Sequence, residues 1–227
     1  TTQALALVRD RVGAVAQPSL DAAQVCFELG RALGANSSLV AALTSYDVDS
    51  ATKAKLVTKL IGKAGGSSTS ELVQSLVTAR WSRPQDLLVG LEHAGIRLAS
   101  RSEAGLEQQL LAIRGVVSSD PELELALGSK LSVVDAKLKL ADKVFSKKVT
   151  PAAMLVLRHL LAQPRARRIG AMLTAAADIA AAETGALLAT ATVARELASA
   201  QLASIQKVLT QKYGREVRVN VIVDEAV

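Results

Sequence analysis

The chain has 227 residues, enough for one large or two modest domains with a buried core. Half are apolar but only 2% are aromatic, so Ala, Leu and Val must fill the interior, as in closely packed helices, and few rings remain as recognition platforms. The 27 Lys and Arg against 21 Asp and Glu leave a formal charge of +6, which suits an acidic protein, an anionic membrane surface or nucleic acid, while the lone Cys26 excludes an intrachain disulfide and points to a reducing compartment.

Leu5, Val8, Val12 and Val15 recur at helical spacing, and Pro18 closes that first helix. A second helix is predicted over about 19–33 and a short one over 36–43. The next carries Leu56, Val57, Leu60 and Ile61 and ends at Gly62, where a left-handed cap is sterically cheap. The loop Gly65, Gly66, Ser67, Ser68 follows, then a helix over about 70–81. Beyond Pro84 one long helical stretch bears Leu87, Leu88, Leu91, Leu98 and Leu106 and runs towards Ile113.

The second half repeats this pattern. Placing residues 39–61 over 123–145, 84 positions on, gives identities at eight of 23 sites, where random pairing gives about one or two. They are Leu39/Leu123, Ala42/Ala126, Leu43/Leu127, Ser45/Ser129, Lys53/Lys137, Lys55/Lys139, Leu56/Leu140 and Lys59/Lys143. Internal duplication is the economical explanation. Thr150 and Pro151 then supply an N-cap oxygen and a first-position proline for a helix to about 162, and Pro164 separates it from another over about 166–183. Past Gly185 the period changes to strand over 187–193, amphipathic helix over 196–213 and strand over 216–223. The expected fold is mainly α: a duplicated helical bundle with copies at 1–102 and 103–185, then a small α/β domain at 186–227. The missing initiator Met and the stop within a strand-like run predict a piece of a longer protein, with that last domain truncated. The most apolar stretch, 171–194, is interrupted by Asp178 and Glu183, and no signal peptide opens the chain, so a membrane is expected to be met only through partners.

No active site emerges. His93 and His159 lack a second ligand at metal spacing and are expected at the surface or partly packed, with no metal or cofactor. Cys26 sits among apolar helical residues and is read as a buried inert thiol. Gly62, Lys63, Gly65 and Gly66 superficially suggest a phosphate loop, but Gly-Lys does not directly precede Ser or Thr and a helix, not a strand, comes before. The basic residues Lys147, Lys148, Arg165, Arg167 and Arg168 could meet phosphates. Trp81, Tyr46, Tyr213, Phe27 and Phe145 are scattered, so stacking on nucleic acid is not expected, and a solvated face or a protein-docking patch is favoured. The leucine stripes are core seams first, although a bundle lined by Ala can leave a groove for an extra amphipathic helix.

Asp120, Pro121, Glu122 and Leu123 with Ala126 and Leu127, the Lys-rich stretch 137–145, and Val149, Thr150, Pro151 before Leu157, Leu160 and Leu161 together carry a family resemblance. It continues through 189–193 and through Tyr213, Gly214, Arg215, Glu216, Val217 and Asp224. These segments resemble the delta subunit family of F-type ATP synthase, which includes the mitochondrial oligomycin-sensitivity-conferring protein. The first copy, with Arg80, Trp81 and Ser82, resembles the long actinobacterial type, including forms fused behind a b-type segment. The resemblance implies a non-catalytic stator subunit in the hetero-oligomeric F1Fo complex, at the cytoplasmic face of the plasma membrane. Its helical bundle would take the N-terminal helix of an alpha subunit into a groove, with Leu157, Leu160 and Leu161 as candidate positions. Its C-terminal part would hold a b subunit or b-type segment through Leu202, Ile205, Val219 and Val221. The rival from another class is an α-helical repeat scaffold for an unrelated partner, which leaves the terminal α/β unit without a reason.

Overall fold

A computed structural model describes residues 2–62, 64, 66–129, 132–185, 187–195, 197–214 and 216–223. Among them the chain is mainly α, with twelve helices and two strands. It divides into two compact units, residues 1–104 and 105–227.

The first unit contains α1 (Thr2–Gly13), α2 (Leu20–Gly34), α3 (Ser37–Thr44), α4 (Ser50–Ile61), α5 (Gly66–Val77) and α6 (Pro84–Ser102). Short polar side chains start the helices: Ser19, Asn36 and Asp49 each accept from a backbone N–H of the first turn that has no partner within the helix. At α6 the job passes to Asp86, which is buried and accepts from the Arg83 backbone N–H at 3.2 Å and its guanidinium at 3.1 Å. α6 is the hub, packed against α1, α2, α3 and α5. Two glycines let it approach its neighbours: a Cβ on Gly90 would stand 2.1 Å from Trp81 Cη2, and one on Gly95 2.4 Å from Phe27 Cε1. From its last turn Arg101 donates to the Val12 carbonyl, supplying the end of α1 with a partner.

The second unit contains α7 (Leu106–Ser119), α8 (Pro121–Gly128), α9 (Val134–Phe145), α10 (Pro151–Ala162), α11 (Ile169–Glu183), β1 (Leu187–Val193), α12 (Ser199–Tyr213) and β2 (Val217–Val223). α8 and α9 lie 84 residues beyond α3 and α4 at both ends, and α7, α10 and α11 follow α2, α5 and α6 at nearly the same offset. Packing corresponds as well: α7 on α11 matches α2 on α6, and α9 on α10 matches α4 on α5. Several of the repeated identities have a structural reason. Leu43 and Leu127 are both core, and Lys53 and Lys137 are both buried. Lys53 Nζ donates to the Ser45 carbonyl at 2.6 Å, tying the end of α3 to α4. β1 and β2 pair in parallel with Leu187 opposite Val217 and Val193 opposite Val223, and α12 packs on β2. The alternation puts Leu187, Ala189, Ala191 and Val193 on the same sheet face as Val217, Val219, Val221 and Val223.

Several expectations need correction. The stretch from Pro84 towards Ile113 is two helices, broken where Gly105 adopts φ 81, ψ 13, a left-handed geometry that side chains disfavour. The first helix ends at Gly13, well before Pro18. Gly62 has positive φ but ψ −129, so it ends α4 without the left-handed helical cap. Gly66, Ser67 and Ser68 begin α5 instead of forming a loop, and α5 stops at Val77, leaving Trp81 beyond it. α11 starts at Ile169, after Arg165 and Ala166, both at positive φ. α12 starts at Ser199. Lys63, Gly65, Glu196, Arg215 and Asp224 lie outside the described residues.

Candidate functional site

Among the described residues no three His, Cys, Asp or Glu side chains gather as a metal site, and no helix is long and apolar enough to cross a membrane. Cys26 is fully buried, and desolvation pushes its thiol up to about 12, which removes the thiolate needed of a nucleophile near neutral pH. His93 is half-buried, whereas His159 is buried within α10, deeper than its sequence surroundings implied. The periodicity around it reads as one apolar seam, yet α10 is covered on most sides: Ala152, Ala153, Val156, Leu157, Leu160 and Leu161 are also buried.

That burial places the three candidate groove leucines. Leu157, Leu160 and Leu161 are 0%, 1% and 2% exposed and form core. Their counterparts 84 positions earlier, Val73, Leu76 and Val77, are core in the first unit too. Elsewhere the second unit carries two adjoining clefts that share Glu124 and Arg168. One, of about 500 Å³, runs between α8 and the start of α11, beside Leu125, Arg167 and Ile169. Leu125 stands 75% exposed at its lip. The other, of about 540 Å³, is lined by Arg114, Val117 and Asp178, whose carboxyl is raised above the usual range by desolvation. Sequence reasoning marked Arg167 and Arg168 as part of a solvated face or docking patch but missed Leu125, which interrupts no pattern; only its exposure marks it. In the first unit a smaller cleft of about 140 Å³ borders α5 at Ser68, Glu71, Leu72 and Ser75.

The other four candidates come together. Leu202 and Ile205 sit on α12, Val219 and Val221 on β2, and these two elements pack on each other. All four are half-buried. No residue of α12 is fully buried, while Val208 and Tyr213 are 58% and 56% exposed. This amphipathic helix therefore leaves much of its apolar surface in water, an arrangement typical of binding surfaces.

The profile described as ATP synthase delta (OSCP) subunit matches residues 94–227, from within α6 through the strand–helix–strand segment. The chain belongs to this family. It is accordingly a non-catalytic component of the peripheral stalk of F-type ATP synthase. It is similar to the ATP synthase subunit delta of Leifsonia xyli subsp. xyli, 33% identical over 218 residues that cover 95% of this chain and 82% of the relative. The subunit delta of Streptomyces griseus subsp. griseus is 32% identical, with 99% and 87% covered. That of Acidothermus cellulolyticus is 30% identical, with 96% and 81% covered. The first helices, which precede the family match, are thus shared with actinobacterial delta subunits.

Proposed function

We propose that this delta-family chain joins the catalytic head to the stalk at two separate places, resisting torque without turning over substrate. The observation that carries the reading is the state of α12: fifteen residues, amphipathic, and none fully buried. Leu202 and Ile205, with Val219 and Val221 of the strand beneath, form the seat for a b subunit or b-type segment. The helical bundle of the second unit receives the N-terminal helix of an alpha subunit. There Leu157, Leu160 and Leu161 act from within, as the core that fixes the shape of the bundle surface, because their burial keeps them from direct contact. Helix-in-groove burial suits the task, since it hides apolar area without moving parts. The complex then holds the chain at the cytoplasmic face of the plasma membrane.

The correspondence of five helices at an offset near 84 supports an internal duplication, with a first bundle over 1–102, a second over 103–185 and a small α/β domain from 186. Binding assays with a soluble b-type segment test the stalk seat. Leu202→Asp with Ile205→Asp is expected to abolish that binding while capture by the catalytic head persists. Undiminished b-type binding by a variant of unchanged helicity contradicts the assignment.

A further inference from the structure

Two of the repeated identities, Lys55/Lys139 and Lys59/Lys143, have no explanation in folding. Lys55 and Lys59 on α4 are exposed, as are their counterparts Lys139 and Lys143 on α9. Among the described residues none of the four is joined by a hydrogen bond or ion pair, unlike the buried Lys53, which holds the Ser45 carbonyl. Surface positions of a duplicated helix are free to diverge, and their neighbours have: Thr58 faces Asp142 in the alignment, Ala54 faces Leu138 and Ala51 faces Asp135. The two lysines of each pair lie four residues apart and so project from one helix face, about 5–6 Å apart at Cβ. Beside the pair in both copies, one residue after the first lysine, stands a half-buried leucine, Leu56 or Leu140.

We propose that Lys55, Leu56 and Lys59 on α4 and Lys139, Leu140 and Lys143 on α9 form two equivalent docking faces, each for an acidic amphipathic helix of a partner protein. The chain would thus hold two such helices. Charge complementarity selects the occupant: carboxylates one turn apart on a helix lying along α4 or α9 match the lysine spacing, and an apolar stripe alongside them meets the leucine. An anionic bilayer fits less well. The leucine common to both copies is half-buried instead of standing proud of the lysines, so it could not insert into acyl chains.

The probe is a synthetic helical peptide of about fifteen residues, with Glu repeated at one-turn spacing beside a leucine stripe. It is titrated calorimetrically into the 227-residue chain. Two peptides per chain are expected, with affinity falling as salt rises. Lys55→Glu with Lys59→Glu removes one site and Lys139→Glu with Lys143→Glu the other, each weakening its site at least about tenfold. The four Lys→Arg changes retain both. Because the lysines are exposed, every variant should keep wild-type helicity. A stoichiometry below two, binding indifferent to charge reversal, or capture by phosphatidylglycerol vesicles without peptide binding overturns the proposal.

Discussion

Arg158 Nη2 lies 2.8 Å from Asp142 Oδ1, bridging α10 to α9, and 84 residues earlier Gln74 Nε2 donates to Thr58 Oγ1 at 3.0 Å between α5 and α4. The same two positions are clasped in both units, once by charge and once by neutral groups. A partly exposed ion pair contributes little more than a neutral hydrogen bond, so the two solutions are nearly equivalent. Replacing the charged pair by the neutral one, Arg158→Gln with Asp142→Thr, should change urea stability by less than about 0.5 kcal/mol. A double-mutant cycle should give a coupling of about 0.5 kcal/mol between the positions.

Gly90→Ala should destabilise the first unit by about 1–3 kcal/mol, because the added methyl meets the Trp81 ring, whose Nε1 is anchored on the Leu76 carbonyl at 2.8 Å. Trp81 is the only tryptophan. Its fluorescence therefore follows this packing alone, and a red-shifted native emission with a lowered urea midpoint is the expected result.

Leu43→Asp and Leu127→Asp each put an unpaired carboxylate at a position 1% or 2% exposed. Each should cost more than about 4 kcal/mol and unfold its own unit. Circular dichroism should show a partial helix loss in each variant, and tryptophan emission should report unfolding in Leu43→Asp but not in Leu127→Asp.

Cys26 gives stability a dependence on alkaline pH. Below the ordinary thiol pKa of 9.0 both states hold the proton; above it the unfolded chain ionises first, while burial keeps the native thiol protonated to about 12. Stability contributed by this site is therefore lost as pH rises through that window, by about 1.4 kcal/mol at pH 10. Cys26→Ala should remove this part of the slope when urea midpoints at pH 8 and pH 10 are compared with those of the wild type.

Elements with a chemical start signal were legible in the sequence: Thr150 stands at the N-cap expected of it, ahead of Pro151, and the helices predicted from about Ser19 and Asn36 begin one residue later, with those two side chains as their caps. The break at Gly105 was not, because Leu98 and Leu106 continue one apolar seam across it and periodicity does not register a change of backbone hand. The repeat was legible because its identities include Leu43, Leu127 and the buried lysines, which packing constrains. For the site, apolar spacing marks Leu157, Leu160 and Leu202 alike; only burial separates a core residue from one half open to solvent. Leu125 and its cleft depend on how α8 meets α11, a contact between segments some forty residues apart that no local pattern encodes.

The most direct test of the connector role is capture of the 227-residue chain by purified catalytic head, with and without the N-terminal segment of the alpha subunit. Binding that survives moderate salt and disappears when that segment is removed is the predicted result. Failure to bind the intact head at low and moderate salt would contradict it.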